Sequence, residues 1–248
     1  NLMLEGDQGV GKSTIAAAIA RTLGWEYRKV SGGLIKKFVF MLGRYIPTSD
    51  GKTLNFRWAD SKLSETLREA EKNPRRTYLL MIDEFSRIDE DARDALLDLI
   101  EGSQRVLRLP TGEEITVGAN VIFMGAGNVG EGFTIRREDA AAKDRWAIVK
   151  ITVMPQEEEL AHCLRLYPTC PRAEMDRALT VINKVRGARR DPKMRLSKTI
   201  STRGAETIAM FLNNGFPVEL ALETAVINQY PGTGDDQNSE AGRVAKLI

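Results

Sequence analysis

A chain of 248 residues is long enough to bury a sizeable core and suits one large domain or two modest ones. Its 42% hydrophobic and 28% charged residues are ordinary for a soluble globular protein, and a net charge of +2 gives no global electrostatic argument for nucleic acid or a membrane surface. No apolar run approaches the roughly 20 residues that span a bilayer, and Cys163, Cys170 and His162 alone cannot make a four-ligand zinc site. Few cysteines and no signal peptide are consistent with a reducing cytoplasm.

The chain begins with Asn1 rather than Met, and its first motif follows at once. A few preceding residues that would flank a nucleotide base are therefore expected. Leu2-Met3-Leu4 is a short apolar run that suits the end of a buried strand. It leads into Gly6-Asp7-Gln8-Gly9-Val10-Gly11-Lys12-Ser13-Thr14, which fits the phosphate-loop pattern G-x-x-x-x-G-K-S/T. Residues 13–23 are Ala-rich with apolar positions at helical spacing. Strand, glycine loop and helix in this order aim backbone N–H groups and a helix N-terminus at an anion. Gly6, Gly9 and Gly11 let the backbone wrap phosphate oxygens, Lys12 reaches the β- and γ-phosphates, and Ser13 offers its hydroxyl to Mg²⁺.

Residues 25–31 read as a second strand, and 34–42 are apolar around Lys36 and Lys37, suiting either helix or strand. The turn signal Thr48-Ser49-Asp50-Gly51 predicts a hairpin within 44–58. Residues 59–72 read as a helix ended by Asn73-Pro74. The second strong signal is an apolar strand, 77–84, that closes on two carboxylates. At a Mg²⁺–ATP site Asp83 can hold the metal through water, and Glu84 can polarise the water that attacks the γ-phosphate. Residues 89–102 form a predicted helix with an Asp at its start and a Gly at its end. Pro110-Thr111-Gly112-Glu113 sits between 104–109 and 114–117, a second predicted hairpin.

The next buried strand, 120–125, runs into Ala126-Gly127-Asn128. Asn128 falls where open parallel sheets place ligand groups; it either orients the attacking water or is an ordinary turn residue. Residues 147–153 make a fifth strand, and Met154-Pro155 marks a boundary. Beyond it, 156–166, 172–185, 202–212 and 217–228 read as helices, followed by a polar loop at 231–236 and a short terminal helix. Alternating strands and helices predict an α/β fold with a parallel five-stranded sheet over residues 1–154. A small all-helical domain takes up 155–248.

Taken together these features resemble an AAA+ ATPase of the MoxR group, in the branch of the cobaltochelatase subunit CobS and the activators CbbQ and NorQ. The phosphate loop, Met81-Ile82-Asp83-Glu84-Phe85-Ser86-Arg87, the segment from Gly125 to Gly132 followed by Asp144-Arg145-Trp146, and Ser201-Thr202-Arg203 carry the resemblance. The two hairpins are similar to that branch's helix-2 insert and pre-sensor-1 hairpin. Asp7 and Gln8 stand where many relatives carry smaller or apolar residues, and a carboxylate near phosphates is unfavourable unless it points away.

The resemblance implies a P-loop AAA+ fold with a helical lid and a ring homo-oligomer, a hexamer, with ATP and Mg²⁺ as cofactors. It implies that Asn128 is sensor 1 and that Arg203 is sensor 2, acting in cis. Arg145 is the arginine finger acting in trans, with Arg136 and Arg137 as competing candidates. The implied activity is ATP hydrolysis driving the remodelling of a client protein, in partnership with a von Willebrand factor A domain protein. A DNA-interacting motor is the alternative. Its local support is the basic run from Arg186 to Arg195, which equally suits a solvated loop. A nucleotide-gated scaffold is a third reading, against which the presence of both Asp83 and Glu84 argues. No membrane role is expected.

Overall fold

A computed structural model describes residues 1–35, 37–49, 53–101, 105–128 and 145–248. Its sheet contains β5 (Tyr78–Asp83), whose residues 78–82 are almost wholly buried. A strand covered on both faces reads as a continuous apolar run, which is what Tyr78-Leu79-Leu80-Met81-Ile82 is. The sheet is parallel and has the order β2 (Glu26–Ser31), β5, β8 (Val121–Asn128), β1 (Leu2–Gly6), β9 (Ala147–Lys150). This is the predicted parallel five-stranded sheet.

Strand alternation divides its faces. Leu79 and Met81 join Leu4, Met124 and Ala126 beneath α1 (Lys12–Leu23), which contributes Ala16 and Ala20. Tyr78, Leu80 and Ile82 face the other way, toward α3 (Lys62–Lys72) and α4 (Glu90–Glu101), packing with Leu63, Leu67, Leu96 and Phe123.

Of residues 34–42, open between helix and strand, 38–42 form a short helix, α2 (Phe38–Leu42); a 3-10 turn precedes it at Gly32–Leu34. The first hairpin pairs β3 (Gly43–Ser49) with β4 (Leu54–Asp60). Tyr45 and Trp58 face each other across it as an edge-to-face pair at 5.1 Å. Ala59 and Asp60, read as helical, complete this strand instead. The helix starts at Lys62, where the Ser61 hydroxyl accepts the Ser64 N–H at 3.1 Å. The second hairpin, β6 (Val106–Arg108) with β7 (Glu114–Thr116), is tied to α3: the Thr116 N–H donates to Glu71 at 2.8 Å, and Arg68 pairs with Glu113 at 3.2 Å.

The described residues fall into two units: Asn1–Gly6 with Gly11–Ile151, and Asp7–Val10 with Thr152–Ile248. The second contains α5 (Gln156–Leu166), α6 (Arg172–Ala188), α7 (Thr202–Asn213), α8 (Val218–Ala225) and α9 (Glu240–Ala245). Its core is made by Met175, Leu179, Ile182, Ile208 and Val244, among others. No helix among the described residues is long and apolar enough to cross a membrane.

Inside this helical core Glu159 is fully buried and receives both arms of Arg186, at 2.7 and 2.8 Å. Arg186 also donates to the Ile200 carbonyl at 2.8 Å and to Asn183 at 2.9 Å. Breaking such a pair from one side leaves a buried charge without its partner. Arg186→Met should therefore cost about 3–5 kcal/mol in urea unfolding, while the double variant Arg186→Met/Glu159→Leu should recover most of that loss.

Cys163 and Cys170 are also buried here and unpaired. Burial, then the neighbouring Glu159 and Glu206, push the Cys163 thiol up to about 12; burial and Glu174 raise Cys170. Thiolate is the reactive form, so alkylation of Cys163 at pH 8 should be about a thousandfold slower in folded protein than in urea. Mass spectrometry against time reads this directly.

Candidate functional site

β1 ends at Gly6, and α1 begins at Lys12. Between them Gly9 and Gly11 take φ of 81° and 91°, left-handed values that side-chain-bearing residues rarely adopt. Lys12 is buried and its ammonium donates to the Gly6 carbonyl at 2.8 Å, folding the side chain back across the loop. Val10 is buried, while Gln8 and Thr14 are exposed. The first N–H groups of α1 have no intrahelical acceptor, which suits an anion. Asp7, whose carboxylate was expected to disfavour phosphate unless turned aside, pairs with Arg189 at 3.0 Å.

Ser13 lies in the first turn of α1, and Asp83 closes β5 on the face that α1 covers. Alternation alone puts Asp83 on the same face as Leu79 and Met81. The Ser13 hydroxyl donates to Asp83 Oδ2 at 3.0 Å. A third group, absent from the sequence reading, joins them. Lys29 in β2 is in register with Met81 and so shares that face. Its Nζ is 2.5 Å from Asp83 Oδ2 and 3.4 Å from Ser13 Oγ. Burial pushes the Asp83 carboxyl up, but hydrogen bonds from Lys29 and Ser13, the Lys29 charge and the Glu84 N–H outweigh it and hold the group below its ordinary value.

These oxygens fit a hard divalent cation. An octahedral ion with bonds of about 2.0–2.1 Å sets neighbouring ligand oxygens about 2.9 Å apart, close to the Ser13–Asp83 separation. Lys29 already presents a cation to the same pair. Among the described residues no three His, Cys, Asp or Glu side chains group as metal ligands. Mg²⁺ characteristically needs only one or two protein oxygens beside substrate phosphates and water.

Glu84 follows Asp83 with φ 55° and ψ 44°. A non-glycine in this region costs on the order of 1–3 kcal/mol and is worth reading as a sign of function. Beyond the turn, Glu84 Oε1 pairs with Arg87 at 2.9 Å. Gly32 and Gly33 make room for it. A Cβ on Gly33 would lie 2.9 Å from Glu84 Oε2, and one on Gly32 would lie 2.6 Å from the Glu84 carbonyl. The Gly-Gly pair after the second strand was the sequence signal for this close approach.

Asn128 ends β8, its backbone in register with Gly6 of β1. Arg145 is about one-third exposed and pairs with Glu101 at 2.8 Å. The next residue, Trp146, is buried and meets Phe85 edge to face at 5.5 Å. Arg136 and Arg137 lie outside the described residues. Arg203 is exposed in the first turn of α7 and forms no ion pair among the described residues. Of the basic run after residue 185, Arg186 and Arg189 are committed to Glu159 and Asp7; Arg190, Lys193 and Arg195 are exposed.

The midasin of Giardia intestinalis is 28% identical over 109 residues, 44% of this chain and 2% of midasin. The Lon protease of Brucella abortus is 26% identical over 187 residues, 72% of this chain and 20% of the protease. The chain thus spans a small part of either relative. A point mutant of Thermotoga maritima RuvB superposes with a TM-score of 0.54 at 19% identity, over 92% of this chain and 62% of RuvB, a likeness of fold alone. The profile of the ATPase family associated with various cellular activities (AAA) matches residues 2–144, more than half of the chain and the whole span from phosphate loop to acidic strand end. This chain belongs to that family.

Proposed function

We propose that the chain is a MoxR-type ATPase of the AAA+ class, which binds Mg²⁺–ATP at the phosphate loop and hydrolyses it within a ring. The observation that carries this reading is the Ser13–Asp83 contact, a phosphate-loop hydroxyl bonded to the carboxylate that ends β5. The loop backbone from Gly6 to Thr14 cradles the phosphates, and Lys12 turns from the Gly6 carbonyl to the β- and γ-phosphoryl oxygens. Ser13 and Asp83 would hold the metal. When bound, Mg²⁺ neutralises charge on the β- and γ-oxygens. Glu84 orients the attacking water and takes its proton, with Asn128 fixing the water's position. Arg203 supplies a phosphate-sensing cation.

Arg145 serves the neighbouring subunit's γ-phosphate, exchanging Glu101 for it. A cation that arrives only on assembly is worth about 10³–10⁵ in rate. The coupled work is remodelling of a client protein, a reading that rests on the resemblance to MoxR-type ATPases, as does a client with a von Willebrand factor A domain. Residues 46–52 and 110–113 of the hairpins are proposed to line the pore or one ring face, by family analogy; of these, 50–52 lie outside the described residues. Of the basic run that supports the nucleic-acid alternative, Arg186 and Arg189 are committed to internal pairs, which leaves Arg190, Lys193 and Arg195 as its local support.

Two outcomes are expected. Lys12→Met should weaken nucleotide binding about 10- to 100-fold in calorimetry, the effect of losing a hydrogen bond to a charged group worth about 1.5–3 kcal/mol. Arg145→Ala and Glu84→Gln should each be nearly inactive, yet an equimolar mixture should regain activity. In a randomly mixed ring roughly one interface in four pairs an intact Glu84 with an intact Arg145. An ATPase rate independent of protein concentration, with Arg145→Ala active, would overturn the shared site.

A further inference from the structure

Lys29 touches both Ser13 and Asp83. Its position follows from the fold. β2 pairs with β5 so that Tyr27, Lys29 and Ser31 stand opposite Leu79, Met81 and Asp83. Lys29 is one step back along the strand from Ser31, and a lysine stem spans that step to reach the carboxylate. The side chain is 44% exposed, against 23% for Asp83, so its ammonium has a route to water that the carboxylate lacks. Tyr27, on the same face, reaches the Ser13 carbonyl with its hydroxyl at 3.4 Å. Lys29, Ser13 and Asp83 therefore form a closed triangle. Two of its corners are the oxygens to which the proposed function gives Mg²⁺.

We propose that Lys29 is a resident counter-cation of the metal site: its ammonium holds Asp83 and Ser13 together and must leave Asp83 when a divalent ion binds with nucleotide. The inference rests on the reading of Ser13 and Asp83 as the metal-binding pair. A tethered ammonium and a divalent ion compete for the same lone pairs, and two cations cannot share one oxygen at hydrogen-bond distance without strong repulsion. Lys29 thereby raises the Mg²⁺ concentration at which nucleotide binds and keeps the carboxylate compensated at lower Mg²⁺. Its role is positional, because it is displaced from Asp83 when the metal and nucleotide bind.

The test uses the full chain with Lys29→Met, Lys29→Arg and Asp83→Asn. The first readout is the Mn²⁺ half-saturation measured by electron paramagnetic resonance, with the β,γ-imido analogue of ATP present. The second is the melting temperature in EDTA and in saturating Mg²⁺ with the same analogue. Lys29→Met should lower the half-saturation about two- to fivefold, the size expected for a half-exposed ion pair. It should melt a few degrees below the parent in EDTA, and that gap should close with Mg²⁺ and analogue. Lys29→Arg, which keeps the charge, should stay near the parent in half-saturation.

If Lys29→Met leaves the half-saturation unchanged, or if its melting deficit persists undiminished with metal and nucleotide, Lys29 is a fixed structural partner and the proposal fails. Asp83→Asn separates that failure from failure of the underlying reading. A shifted half-saturation in Asp83→Asn with none in Lys29→Met condemns the Lys29 proposal alone. An unchanged half-saturation in Asp83→Asn removes the metal pair itself, and this inference with it.

Discussion

The contact between Ser13 and Asp83 is the constraint on which the rest of the nucleotide-binding unit depends. It requires the first turn of α1 to lie within hydrogen-bond reach of the end of β5, two strands away from β1. Small side chains make that possible. Ala16 and Ala20, one turn apart, are the fully buried residues of α1 on the sheet, packed with Leu79, Met81, Met124 and Ala126. Neither adds bulk beyond a methyl group, so the helix backbone lies close to the sheet and its first turn stays level with the strand ends. A larger residue at either position would lift α1 and open the contact, because packed interiors do not absorb added volume without displacement.

Carboxylates close to a proposed phosphate loop in sequence or in the sheet raise an electrostatic difficulty. Each acidic group near the loop would repel the anion it is meant to serve. In this chain Asp83 has Lys29, Glu84 has Arg87, and Asp7 has Arg189 as a cation of its own. The three pairs differ in kind. Arg87 is the i,i+3 partner of Glu84 and comes from the same turn. Lys29 comes from the neighbouring strand, and Arg189 lies 182 residues from Asp7 in sequence. The charge of +2 over the whole chain thus conceals a local arrangement in which acid and base are matched residue by residue.

Sequence legibility follows the same division. The phosphate loop, the buried strand ending in Asp83-Glu84 and both hairpins were readable because their signals are local: glycine spacing, apolar runs and turn residues. The start of α3 was misjudged because Ala59-Asp60 looks helical, whereas cross-strand pairing to Gly43 and Arg44 extends β4 through them. Lys29 was illegible for a different reason. Its alternation along β2 was visible, but the identity of its neighbour requires knowing that β2 lies beside β5. The partner of Arg145, Glu101, was illegible for the same reason, since it is a residue of α4 far from it in sequence. Arg186 read as one member of a basic run; only the packing of α5 on α6 reveals Glu159 opposite it.

Phe85 follows Glu84, and Trp146 follows Arg145; the two rings meet edge to face at 5.5 Å within the core. Both are nearly inaccessible, so neither can rotate without displacing the other. Glu84, in its left-handed turn, is thereby fixed from one side by Arg87 and from the other by a neighbour locked against Trp146. Arg145 is held between that same Trp146 and Glu101. Under the proposed assignments these two residues of one subunit serve different nucleotides, Glu84 its own and Arg145 that of the next subunit. The shift that frees Arg145 from Glu101 would have to be accommodated at Trp146, and hence at Phe85 and the turn carrying Glu84. A buried aromatic pair is stiff enough to pass such a displacement on, because interiors at crystal-like density reposition rather than compress.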